Sequence, residues 1–106
     1  MSFGQVIAEA RKQRGLSLKE LASRLCKEDG TPISPQYLND IEHERRNPPS
    51  GHLLQQLSHE LGLEQEVLYY LAGQYPEDIR HATASPERVR EAFQAFRRAL
   101  KEPPKP

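Results

Sequence analysis

The stretch CKEDGTPISPQYLNDIEHERRNPPS, Cys26 to Ser50, constrains the fold more than any other part of the chain. Ser34 is suited to cap a helix, and Pro35 suits the first helical position, where a missing N–H costs nothing. Leu38 and Ile41 follow on what becomes the inward face, and Pro48-Pro49 closes the segment. The same punctuation recurs on both sides. A first helix is expected from about Phe3 to Arg14, with Phe3, Val6, Ile7 and Ala10 at helical spacing and Gly15 placed to end it. Ser17 and Glu20 form a capping box ahead of the stripe Leu18, Leu21, Ala22, Leu25. A fourth helix follows Ser50 with Leu53, Leu54, Leu57 and Leu61 up to Gly62. The fifth, about Glu64 to Ala72, turns Val67, Leu68 and Leu71 inward before Gly73. No segment reads convincingly as a strand, so the expected class is all-α, with five short helices joined by short connections.

Composition narrows the functions such a domain can serve. With 106 residues, 36% hydrophobic and 28% charged, the chain fits one small globular domain plus an appendage and is too small for a large enzyme. No run approaches the roughly 18 to 20 apolar residues of a membrane span, and the start MSFGQVIAEARKQRG alternates polar with apolar residues. A cytoplasmic protein without a membrane partner is therefore expected. A single cysteine, Cys26, excludes an internal disulfide and a thiolate zinc cluster. His43, His52, His59 and His81 lack partners for a metal site, and His52 and His59 share at best one helix face. With no nucleophile and base pair, glycine-rich phosphate loop or carboxylate dyad, neither catalysis nor a cofactor is expected.

Charge is ambiguous about a nucleic-acid partner. The chain has 15 Lys and Arg against 15 Asp and Glu, whereas a clearly basic domain is the usual footprint of a binder. Met1 to Gly73 holds eight basic and ten acidic residues, and Gln74 to Pro106 holds seven and five. Within this balance, Arg11, Lys12, Arg14, Lys19, Arg24 and Lys27 cluster with only Glu20 among them, leaving room for a local basic patch.

GLSLKELA, then ISPQYLNDIEHERRNP, then LLQQLSHELGLEQEVLYYLAG resembles the Cro and lambda-repressor-like, or XRE, helix-turn-helix regulators. The likeness spans about Phe3 to Gly73, and its specificity lies in several independent pieces occurring in order. It implies a second helix lying across the DNA backbone and a third entering the major groove with its N-terminal residues. Carried over by position, the base-edge readers are Gln36, Tyr37 and Asn39, with Asp40 as a further candidate. Gln and Asn amides match adenine N6 and N7, and Tyr offers a hydroxyl, or its ring to a thymine methyl; Asp40 would accept from cytosine N4 but repel phosphate. Ordinary solvated residues on a small helix are the bland alternative. Phosphate contacts fall to Ser17 and Lys19 at the start of the second helix, Ser34 at the start of the third, and Arg45, Arg46 and Asn47 after it. The family also pairs an arginine late in the first helix with the glutamate of Ile-Glu, here Arg11 and Glu42, as a structural ion pair.

Two departures from the family pattern matter. Glu44 stands where glycine is usual, so the third helix is expected to end without the left-handed glycine conformation. Between Ala22 and Ser34 the chain is about six residues longer than the family's tight turn. The second helix is expected to run on through Cys26 and Lys27, after which Asp29-Gly30 reverses the chain and Thr31-Pro32 leads, extended, to Ile33. Ile33 would then pack on Leu38 as a hydrophobic staple.

Past Gly73 the composition shifts. Residues 74–84 read as a linker with room for one short helical turn at Pro76 to His81, 85–102 as an amphipathic helix opened by Ser85 and Pro86, and 103–106 as a tail. Val89, Phe93, Phe96 and Leu100 form a stripe that needs a cover, either its own domain or a second subunit; Arg88, Arg90, Arg97 and Arg98 read as solvated. The expected function is sequence-specific double-stranded DNA binding by a homodimeric repressor of bacterial or phage origin, on a palindromic operator. Two alternatives remain open: an antitoxin-type regulator that docks a partner protein, and an interaction module that has lost DNA binding.

Overall fold

Local capping starts most of the helices of this chain, whose computed structural model describes residues 1–102. In α1 (Phe3–Gln13) the Ser2 hydroxyl accepts from the Gln5 N–H while the Gln5 side chain accepts from the Ser2 N–H. Ser17 and Glu20 make the same reciprocal pair at the start of α2 (Leu18–Ser23). Ser34 caps α3 (Pro35–Glu42) through the Tyr37 N–H. Then come α4 (Gly51–Leu61), α5 (Gln65–Ala72), the four-residue α6 (Glu77–Arg80) and α7 (Pro86–Lys101), the last capped by Ser85. Helices are the regular structure of the described residues, which hold no strand beyond one isolated bridge, between Cys26 and Pro32. Residues 103–106, read from sequence as a tail, lie outside the described residues.

The first five helices share one core. Ile7, Leu21, Leu38, Ile41, Leu54, Leu57 and Leu68 are each less than 2% exposed, so every one of the five contributes a fully buried side chain. Burial of such a side chain stabilises by roughly 1.5–3 kcal/mol. α3 packs on α1 and α2, while α1 also rests on α4 and α5. One inward assignment is corrected: Val67 is 46% exposed, and Tyr69 is buried in its place. Side chains advance about 100° per residue, and α5 centres its buried arc on Leu68 and Tyr69, which turns Val67 to the outer edge.

The long connection between α2 and α3 also differs from expectation. α2 does not continue through Cys26 and Lys27; it stops at Ser23, with Arg24 as its cap. The cause lies on α4, where Gln56 donates from Nε2 to the Cys26 carbonyl (2.8 Å) and accepts at Oε1 from the Cys26 N–H (3.0 Å). This side-chain amide replaces a neighbouring strand and holds Cys26 extended. A tight reversal follows: Lys27 N–H donates to Thr31 O, Gly30 N–H donates to Lys27 O, and Asp29 Oδ1 accepts from both the N–H and the hydroxyl of Thr31. The Ile33 N–H then donates to Leu25 O at 3.3 Å, so the insertion returns to its point of departure. Leu25, Ile33 and Leu38 all lie in the core cluster.

The end of α3 is a third correction. Glu44 does take up the left-handed conformation, with φ 60°. Its N–H donates to Ile41 O and the Arg45 N–H to Asp40 O, which completes a left-handed cap with glutamate in the glycine position. Such a conformation costs a non-glycine residue roughly 1–2 kcal/mol. An offset is visible: Glu44 Oε1 accepts from the Gly4 N–H at 2.9 Å, placing a carboxylate at the positive N-terminus of α1.

Candidate nucleic-acid interface

The side chains singled out on α3 and in the loop after it form two linked groups. Asp40 Oδ1 accepts from Gln36 Nε2 (2.9 Å), one helical turn back, and from Arg45 Nε (3.1 Å), five residues on. Arg45 holds the Asp40 carboxyl below the usual carboxylate range, with smaller help from Gln36 and from the charge of Arg46. Beside this group the Arg46 guanidinium lies over the Tyr37 ring, 4.6 Å from its centroid, in a cation–π contact. Gln36, Arg45, Arg46 and Asn47 are exposed, while Tyr37, Asn39 and Asp40 are half-buried. The Asn39 carbonyl is taken by the His43 ring nitrogen at 2.9 Å.

Beneath this face, Arg11 and Glu42 fix α3 to α1. Arg11 donates from Nε to Glu42 Oε2 (2.7 Å), from Nη2 to Glu42 Oε1 (3.0 Å) and from Nη1 to the Leu16 carbonyl (2.8 Å). The Glu42 side chain is 2% exposed. The hydrogen bond to Glu42 raises the Arg11 pKa against the opposing effect of burial, so the cation is well compensated. Ser17 and Lys19 stand exposed on the first turn of α2. The Ser17 hydroxyl is used in capping, and no hydrogen bond or ion pair among the described residues joins either one to the α3 group.

Sequence reasoning missed the contacts by which the site holds itself together. The Gln36 and Asp40 pair was detectable, since residues four apart meet on a helix. The Tyr37 and Arg46 stack and the return of Arg45 to Asp40 depend on the left-handed turn at Glu44, which no local signal gives. The structure also shows how the C-terminal stripe sits. Phe96 meets Tyr70 edge-on at 6.0 Å and Phe93 meets Tyr75 at 6.4 Å, yet no residue of α7 is buried. Val89, Phe93, Phe96 and Leu100 remain 39–55% exposed, and Val67, Tyr70 and Ile79 are exposed as well.

No group of histidine, cysteine and acidic residues able to hold a metal occurs among the described residues, and no helix there is long and apolar enough to cross a membrane. A family model described as helix-turn-helix matches residues 7–66. Among solved structures, the chain is similar to the clp gene regulator ClgR of Corynebacterium glutamicum, at 25% identity over 93% of this chain and 86% of that one, with a TM-score of 0.49. It is also similar to a chain of the SinR protein/SinI protein complex, at 27% identity over 92% of this chain and 98% of that one, with a TM-score of 0.52. No curated protein matches the chain.

Proposed function

The chain belongs to the Cro and lambda-repressor-like helix-turn-helix family of DNA-binding transcriptional regulators, and from that premise we propose that it represses transcription as a homodimer on a palindromic operator. It would act in the cytoplasm of a bacterium or on behalf of a phage, without catalysis. The observation that carries this reading is α3: a short helix locked to α1 and α2, with Gln36, Tyr37 and Asn39 near its N-terminus and Arg45 and Arg46 just beyond its end. Base-edge chemistry falls to the first three, and phosphate to Ser17, Lys19, Ser34, Arg45, Arg46 and Asn47.

Substitution separates the two roles. Gln36→Ala and Tyr37→Ala should each lower affinity for a site selected from random duplexes by roughly 1–3 kcal/mol, with little change on random-sequence DNA. Lys19→Ala should weaken both alike and reduce the salt slope by about one contact. Fluorescence anisotropy across a salt series measures both, and equal losses on selected and random DNA for all three variants would remove these assignments.

The dimer rests on the uncovered stripe. One short helix rarely discriminates a site within a genome, whereas a two-fold pair reads half-sites about 10 bp apart, or a multiple of that. Val89, Phe93, Phe96 and Leu100, with Tyr70 of α5 against Phe96, offer an apolar face that a second copy would cover. The double variant Phe93→Asp, Phe96→Asp should stay folded, sediment as a monomer and bind a selected operator about tenfold or more weakly, as a dimer whose half-sites act together requires. A wild type already monomeric at tens of micromolar, or a variant that unfolds entirely, would instead make α7 a lid on its own domain. One similar chain comes from a complex of two named proteins, which favours a partner protein as the second reading. Copurification of such a partner would distinguish it.

A further inference from the structure

Asp40 presents a carboxylate on the face assigned to base reading, yet its Oδ1 is already engaged twice, by Gln36 at 2.9 Å and Arg45 at 3.1 Å. Reading a cytosine would fall to Oδ2, in an orientation that these two contacts fix, and would bring the carboxylate's charge among phosphates. The engagement has a different use. A free glutamine amide turns easily about its last torsion and can exchange its oxygen and nitrogen ends. Tied through one N–H to Asp40, the Gln36 amide keeps its nitrogen toward the helix and its order fixed. The second N–H and Oε1 are then left as a donor and an acceptor in one sequence, which is what adenine N7 and N6 require. Arg45 neutralises the carboxylate that holds the amide, and the charge of Arg46 adds to this. We propose that Asp40 is a positioning residue, which reads no base itself and sets the base preference of Gln36 by fixing the orientation of its amide while being held in turn by Arg45. This rests on the DNA-reading function proposed above.

Selection from a random-sequence duplex library, run with the wild type, Gln36→Ala, Asp40→Ala, Asp40→Asn and the double variant Gln36→Ala, Asp40→Ala, tests it, together with the side-chain amide resonances of Gln36 in the free protein. Asp40→Ala should erase preference at the same base pair as Gln36→Ala, on the order of tenfold. The double variant should lose no more than Gln36→Ala alone, and Asp40→Asn, which still offers an acceptor oxygen, should keep the preference. In the free protein Asp40→Ala should shift the Gln36 amide resonances. If Asp40→Ala removes preference at a base pair that Gln36→Ala leaves intact, Asp40 is a reader and the proposal is overturned; unchanged preferences throughout overturn it equally. Gln36 resonances indifferent to Asp40→Ala remove the clasp and overturn the proposal, while the DNA-reading function stands. A wild type that enriches no sequence, with the amide shift present, overturns the DNA-reading function and the positioning role with it, while the clasp stands.

Discussion

Glu42→Ala is expected to destabilise the fold by about 3–5 kcal/mol, the range for removing one partner of a buried ion pair. The lost carboxylate takes both oxygens from Arg11 and leaves a guanidinium below the surface with only the Leu16 carbonyl. Arg11→Ala should cost a similar amount, because a carboxylate whose side chain is 2% exposed would then lack its cation. Replacing both partners by apolar residues of similar volume, Arg11→Met with Glu42→Leu, should cost less than either single change, since no charge is then stranded. For a domain of this size each 1 kcal/mol is worth roughly 4–8 °C in Tm, so the single variants should melt at least about 12 °C below the wild type. Small additive losses in urea and thermal melts would show that the pair behaves as a surface contact. Because Glu42 lies in the helix that carries Gln36, Tyr37 and Asn39, DNA affinity should fall in the single variants in step with the loss of folded protein.

Gly4→Ala is the second large effect. The Gly4 backbone sits against the end of α3, and a methyl group there would lie 2.6 Å from the Ile41 carbonyl oxygen, closer still to that of Glu42, and 2.7 Å from Glu44 Oε1. The glutamate side chain could swing aside, but the two carbonyls belong to the last turn of α3. Accommodation would have to separate α1 from α3, and a destabilisation at or above the top of the roughly 1–3 kcal/mol typical of overpacking is expected. It should appear as a lower urea midpoint with an unchanged m-value. A Gly4→Ala variant as stable as wild type would mean that α1 can withdraw from α3 without loss.

What the sequence made legible follows the range of the interactions involved. The caps at Ser17 and Ser34 act over three residues, so each announces itself locally and the helix starts fall where the pattern puts them. The leucines of α4 face inward because a helix with four of them on one side has one way to bury them. Val67 and Tyr69 show the limit of that logic: an eight-residue α5 has few turns with which to define its face, and a tyrosine with a long apolar body took the inner place. The stop of α2 at Ser23 was hidden because its cause, Gln56, lies 30 residues away on another helix. Glu44 was hidden for the same reason, its compensation being the amide of Gly4, 40 residues back. At the candidate interface the kinds of residue were legible, but their mutual ties across the turn at Glu44 were not.

The insertion between α2 and α3 has a consequence for how this architecture can vary. Its two ends are joined by the Ile33 to Leu25 hydrogen bond and pinned by Gln56, so the number of residues in the excursion is decoupled from the spacing of the helices it connects. Doubling a flexible loop adds only about 0.6 kcal/mol of closure cost. The tip at Glu28, Asp29 and Gly30, exposed and outside the core, is therefore a port at which a fluorophore, an epitope or a whole guest domain could be spliced in without changing the alignment of the helices behind it.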